Sequence, residues 1–333
     1  FAQADGDRTI AVGAGSLSNQ TCAVAIGQFS RATGTSVLAI GTNASASKAD
    51  AIAIGILSNS SAANTTTVGT KAVASQKSAS AYGTKANASG ERSMAFGAGS
   101  ISSNSNTTAM GTASQATAIS ASAYGAGAVS AGDNSMSFGA VSTAANQNDL
   151  AFGTSAITAG PNASVFGTLG KATADDATAI GFQAQALGID STAIGKGAVA
   201  NNVNAVALGS DAIASGLGST ALGDAAVATK TNSIAIGTGA RSDIDNGTAI
   251  GAGSIAKQDL DGSTSSVTLG REGDGETDYF LPGLANKPGE ANSNQSGGTQ
   301  YLTVDSEGKI IAAIAEVPPQ VTITAPNFNC TAE

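Results

Sequence analysis

Histidine and tryptophan are absent from this chain, aromatic residues make up 4% of it, and charged residues 12%, about half the usual quarter. Without histidine there is no Ser-His-Asp or Cys-His pair and no imidazole metal ligand. No enzyme activity, cofactor or metal is expected. Asp243-Ile-Asp-Asn-Gly247 and Asp259-Leu-Asp-Gly262 have some character of calcium loops. Both lack the full spacing with a Glu at the twelfth position and read as solvated turns. Lys and Arg are nowhere clustered and the net charge is -9, which excludes the basic surface that nucleic acid requires. The longest strongly apolar run is Ile310 to Ala315, far below the roughly 20 residues of a membrane-spanning helix. Ala2-Gln3-Ala4 has the small-x-small form of a cleavage site, so the first residue is expected at or near a mature N-terminus. A composition this poor in large side chains would give disorder if the apolar residues were scattered.

They are not scattered. Glycines stand at Gly13, Gly27, Gly41, Gly55 and onward through Gly195 and Gly237 to Gly251, eighteen in all at a spacing of 14 without insertion or deletion. A nineteenth, Gly270, follows after a five-residue insertion. Before each of the eighteen stands a large apolar residue: Val12, Ile26, Ile40, Ile54, Val68, Tyr82, Phe96, Met110, Tyr124, Phe138, Phe152, Phe166, Ile180, Ile194, Leu208, Leu222, Ile236 and Ile250. The residue before that is Ala in fifteen repeats, with Thr67, Ser137 and Val165 as the exceptions. Three and five residues after each glycine the side chain is small.

Small residues alternating with variable ones have the period of a strand, and each repeat holds two such short segments. Between them lie turn residues, one set including Gly34, Gly90 and Gly188, another Asn64, Asn106 and Asn162. Both types tolerate the left-handed conformation of tight turns. A helix is excluded, since each Gly costs about 1 kcal/mol against Ala there. Two strands and two turns make one coil, and coils stacked at about 4.8 Å form a parallel β-solenoid roughly 85 Å long, an all-β fold over residues 1–270. The glycines, Gly27, Gly41, Gly55, Gly195 and Gly237 among them, are the repeat turns. A coil this small encloses little. The large column from Ile26 to Ile250 is therefore expected to serve both as repeat core and in packing against other chains.

Segments such as Ala51-Ile-Ala-Ile-Gly55, Ser191-Thr-Ala-Ile-Gly195 and Asn232-Ser-Ile-Ala-Ile-Gly237 resemble the YadA-like heads of trimeric autotransporter adhesins, over about residues 8 to 270. The resemblance implies a left-handed β-roll, a homotrimer on a bacterial cell surface, and adhesion to extracellular matrix proteins such as collagen. No heptad stalk, neck or membrane barrel is recognisable in the chain. The adhesin reading expects such sequences beyond Glu333.

Residues 271–333 leave the repeat and are expected to cap or connect it. Gln300 to Val304 and Lys309 to Ile314 read as a hairpin, and Gln320-Val-Thr-Ile-Thr324 as a last strand. Cys22 lies in an early coil and Cys330 near the end. The two could be free, could pair if the tail folds back, or could join successive subunits, with Val321 and Ile323 adding as a strand to the next subunit's first coils. The last arrangement defines the alternative function, a secreted structural subunit that assembles head to tail into an extracellular filament.

Overall fold

A computed structural model describes residues 1–256 and 267–270, together with the backbone of the strands Gln300–Val304 and Ile310–Ile314. The chain divides into two compact units, Phe1–Gly275 and Glu276–Glu333. The first is the expected parallel β-solenoid.

Every coil contains one two-residue strand and one three-residue strand, as in Leu17–Ser18 and Val24–Ile26. Each pairs in parallel with its copy one coil on: Leu17 with Arg31 and Ser18 with Ala32, then Val24 with Leu38, Ala25 with Ala39 and Ile26 with Ile40. Two parallel sheets of nineteen strands result. The three-residue sheet is open: Ile10–Val12 pairs only with Val24–Ile26, and Val267–Leu269 only with Thr248–Ile250. In that last pairing Thr248 sits opposite Val267, so the five extra residues are accommodated without loss of register.

The corners explain the repeat length. Two residues per coil, seven apart, carry the left-handed conformation, as Asn43 and Asp50 do at φ 56. Their amides reach back to the preceding coil, Asn43 N to Gln28 O at 2.9 Å and Asp50 N to Thr35 O at 3.0 Å. The following residues close four-residue β-turns, Ala44 N to Gly41 O at 3.1 Å and Ala51 N to Lys48 O at 3.2 Å. A coil is thus two similar seven-residue halves, and its corner amides find carbonyls as buried backbone must. The Asn set behaves as expected, with Asn64, Asn106 and Asn162 at φ 58, 60 and 61. The Gly34, Gly90 and Gly188 set is a correction, because these glycines do not have positive φ. The left-handed site lies two residues later, and at Gly34 the missing side chain matters because a Cβ would lie 2.6 Å from the Lys48 carbonyl oxygen.

The interior also differs from expectation. Apart from Asp149 it is built from small side chains: Ala columns such as Ala25, Ala39 and Ala53, interrupted by Ser, Thr and the two valines Val37 and Val165, all with essentially no exposed surface. Buried hydroxyls are satisfied locally, since Ser16, Ser30 and Ser58 each donate to the carbonyl of the glycine three residues back at 2.9 Å. Among the described residues only Ser137, Ser191 and Ser254 hold a buried oxygen without a partner. The large column from Ile26 to Ile250 does not fill this space. Side chains alternate across a strand, and with Ala25 pointing inward its neighbours Val24 and Ile26 must point out.

In the second unit, Gln300–Val304 and Ile310–Ile314 pair antiparallel, with Gln300 opposite Ile314 and Val304 opposite Ile310. This is the expected hairpin, starting one residue later on its second strand. Cys330, Val321 and Ile323 lie outside the described residues.

Candidate interaction face

Each three-residue strand presents two outward side chains, and stacking turns them into two parallel columns. One runs Ile10, Val24, Leu38, Ile52 and onward to Thr248 and Val267. The other is the large column, Val12 to Ile250 and Leu269. In the single chain many of these residues are exposed: Val12 at 55%, Phe96 at 50%, Phe138 at 45% and Leu208 at 40%. Ile40, Ile54, Tyr82, Tyr124, Ile194 and Ile236 are half-buried by their neighbours, whereas Ile26, Phe152, Phe166, Ile180, Leu222 and Ile250 are exposed.

No charged residue stands in either column from Ile10 to Ile250. Residues 1–256 contain 24 charged side chains. These occupy the corners, the opposite sheet (Arg31, Lys171 and Arg241) or, for Asp149, the interior. The strip is thus the one uncharged side of the coil stack among the described residues. Its footprint is roughly 85 Å by 10 Å, or about 850 Å². That is close to the about 800 Å² that each partner contributes to a standard interface.

The middle of the large column is aromatic. Tyr82 and Phe96 have ring centroids 5.4 Å apart, Tyr124 and Phe138 5.6 Å, Phe138 and Phe152 4.8 Å with nearly parallel planes, and Phe152 and Phe166 6.1 Å. The parallel register delivers identical strand positions to adjacent coils, so rings meet rings.

The repeat-turn glycines close each of these strands, Gly27, Gly41, Gly55, Gly195 and Gly237 all having φ between 126 and 136. Cys22 is an exposed free thiol at a left-handed corner position, φ 58. Among the described residues no three His, Cys, Asp or Glu side chains converge as a metal site, and no helix is long and apolar enough to cross a membrane.

Reading the sequence by repeat columns alone overlooks Asp149. It occupies an interior position that other coils give to Ala, Ser or Thr, with Val37 and Gly247 the exceptions, and it is 1% exposed. Burial pushes its carboxyl above the usual carboxylate value, partly offset by hydrogen bonds from the amides of Asn146, at 2.8 Å, and Ala163, at 3.2 Å. A carboxyl raised in the folded state favours folding when protonated. That contribution is present below the ordinary value near 3.8 and is lost as pH rises through the raised one. Serine at the equivalent position keeps the turn bond, since Ser93 Oγ accepts from Gly90 N at 3.2 Å. Asp149→Ser is therefore expected to stabilise the solenoid by about 1 kcal/mol at neutral pH. The gain should shrink below pH 4, as thermal melts at the two pH values will show.

The family model described as the YadA head domain repeat matches residues 1–16, 23–44, 74–100 and 130–156, then overlapping stretches from 172–198 to 228–254, together more than half of the chain. No curated protein matches it. Among solved structures, the crystal structure of the collagen-binding domain of the Yersinia adhesin YadA is 18% identical, covers 86% of this chain and 92% of its own, and superposes with a TM-score of 0.16. At that score the superposition carries no weight, and the fold rests on the repeat and its ladder register.

Proposed function

The chain belongs to the family of YadA head domain repeats, and from that premise we propose that its solenoid is the head of a bacterial surface adhesin, three copies packing side by side through the charge-free face. The observation that carries the reading is the strip from Ile10 to Leu269, which carries no charge and one large apolar side chain per coil. The exposed Phe and Leu of the strip stand at 38–50%, so covering each contributes about 1 kcal/mol, roughly half the value for a fully exposed side chain.

With the strip turned inward, the outer surface is the two-residue sheet with Arg31, Lys171 and Arg241, and the corners. This surface repeats every coil and is presented in three copies. It suits adhesion by many weak contacts, where avidity multiplies a modest single-site affinity. Extracellular matrix protein as the partner is proposed on family membership alone.

Sedimentation equilibrium of the chain at micromolar concentration tests the assembly. A mass three times 31.9 kDa, unchanged by reductant, is the expected result. A monomer would overturn the side-by-side reading. Long polymers that shorten on reduction would instead favour the filament, in which exposed Cys22 is joined to Cys330.

A further inference from the structure

A rod made of identical coils has a register problem. The repeat runs for eighteen coils without insertion or deletion, so sliding one copy past another by a coil, about 4.8 Å, regenerates nearly the same apolar face. The slide forfeits only the overlap at the ends. A defined side-by-side assembly needs something on the face that breaks this translational symmetry, as a single polar core residue does in coiled coils.

The large column breaks it once. From Val12 to Val68 its residues are aliphatic, from Tyr82 to Phe166 they are Tyr, Phe or Met, and from Ile180 to Ile250 they are aliphatic again. We infer that this aromatic block is the register key of the assembly: the block of one copy packs against the block of the next and holds the chains level. The inference rests on the side-by-side reading above. In register, every aromatic coil faces an aromatic coil. A slide of any number of coils sets bulky rings against aliphatic side chains at both ends of the block and leaves gaps beside them. Rings and gaps cannot both relax, because the backbone ladder fixes the depth at which each side chain starts.

The block is also ordered before association. Phe138 and Phe152 stack at 4.8 Å with planes 5° apart, and Tyr82 with Phe96 and Tyr124 with Phe138 are in ring contact. Rings already held by their neighbours lose little freedom on docking, which sharpens the preference for the matched alignment. The column beside the block varies in size: Ser80, Ser122 and Ser164 stand next to Tyr82, Tyr124 and Phe166, Met94 and Met136 next to Phe96 and Phe138, and Leu150 next to Phe152. The contour of the block is therefore uneven along the rod, and a shifted copy does not reproduce it.

Disulfide mapping of register tests this. In a background with Cys22→Ser and Cys330→Ser, Thr192→Cys is mixed with Thr220→Cys, two sites on the face separated by two coils, about 10 Å. Matched alignment brings like sites together, and two coils exceed the roughly 7 Å reach of a disulfide. Peptide mass spectrometry after mild oxidation is expected to find 192–192 and 220–220 links, with 192–220 links at most about a tenth of them. The block variant carries Tyr82→Ile, Phe96→Ile, Tyr124→Ile, Phe138→Ile, Phe152→Ile and Phe166→Ile. It should still fold, because Ile already fills this column in other coils, and should still associate. Its 192–220 links should rise at least about fivefold. A block variant that associates and keeps the wild-type link ratio overturns the register key while leaving the side-by-side reading intact. A wild-type chain that sediments as a monomer overturns that reading itself.

Discussion

Phe138→Glu combined with Leu208→Glu is expected to convert the assembly into folded monomers. Both side chains stand on the charge-free face and are exposed in the single chain, at 45% and 40%. Leu208→Glu therefore costs the solenoid little, and Phe138→Glu costs about 1–2 kcal/mol through its ring contacts with Tyr124 and Phe152, which a stack of nineteen coils tolerates. The two sites lie five coils apart, so the new carboxylates do not repel one another within a chain. In the assembly the same carboxylates would be buried without a partner. An unpaired buried charge costs about 3–5 kcal/mol, so each site weakens association by roughly 10²–10⁴-fold and the pair by more. Sedimentation should report the mass of one chain, and the far-ultraviolet spectrum should keep its β signal. Gln115→Glu, which adds the same charge on the opposite sheet, should leave the trimer intact. Loss of the trimer in the control, or its survival in the double variant, would place the interface elsewhere.

The difference between the faces was only partly legible in the sequence. Strict spacing fixes the coil, and the Ala at each position before the large residue marks one inward column, so the parallel solenoid follows from periodicity alone. The orientation of the large column does not follow from its hydrophobicity. Leu and Phe are usually interior residues, and a globular reading puts them in the core. Only the strand period decides otherwise: Ala25 and Ile26 are adjacent, so both cannot face in, and a coil of 14 residues has no room for the larger. The left-handed corners were legible where Asn fills them, as at Asn64 and Asn106, and illegible where Phe29, Leu57, Val141 and Leu169 do, at φ 55, 58, 56 and 60. A β-branched residue in that conformation is rare. Val141 adopts it because its amide is committed to the Ala126 carbonyl of the preceding coil at 2.9 Å, so stacking overrides local preference. Asp149 was hidden for a related reason, since a lone carboxylate in a column of Ser and Ala looks like a tolerated surface change until burial is known.

The glycine column shows the same dominance of stacking and gives the largest expected loss of stability. Gly139 has φ 141, and a Cβ placed on it would lie 2.5 Å from the carbonyl oxygen of Gly153 one coil on. Gly139→Ala therefore meets two costs. The backbone region is one that L-residues avoid, worth about 1–3 kcal/mol. The methyl group must also push two coils apart where the amide of Gly153 bonds the carbonyl of Phe138 at 2.8 Å. Together these should reduce stability by about 3 kcal/mol or more. Because each coil contacts only its neighbours, the damage should be local as well as large. Limited proteolysis is expected to cut near residues 139–153 and release two resistant halves, where the wild-type rod resists throughout. Ala113→Gly makes the opposite change at a corner, where Ala113 holds φ 55. Relief of the left-handed strain is offset by a more flexible unfolded chain, so this variant should be neutral or gain up to about 1 kcal/mol. If Gly139→Ala melts with the wild type and shows no new cleavage, the close approach of consecutive glycines is not what sets the coil spacing, and the Ala and Ser interior must set it instead.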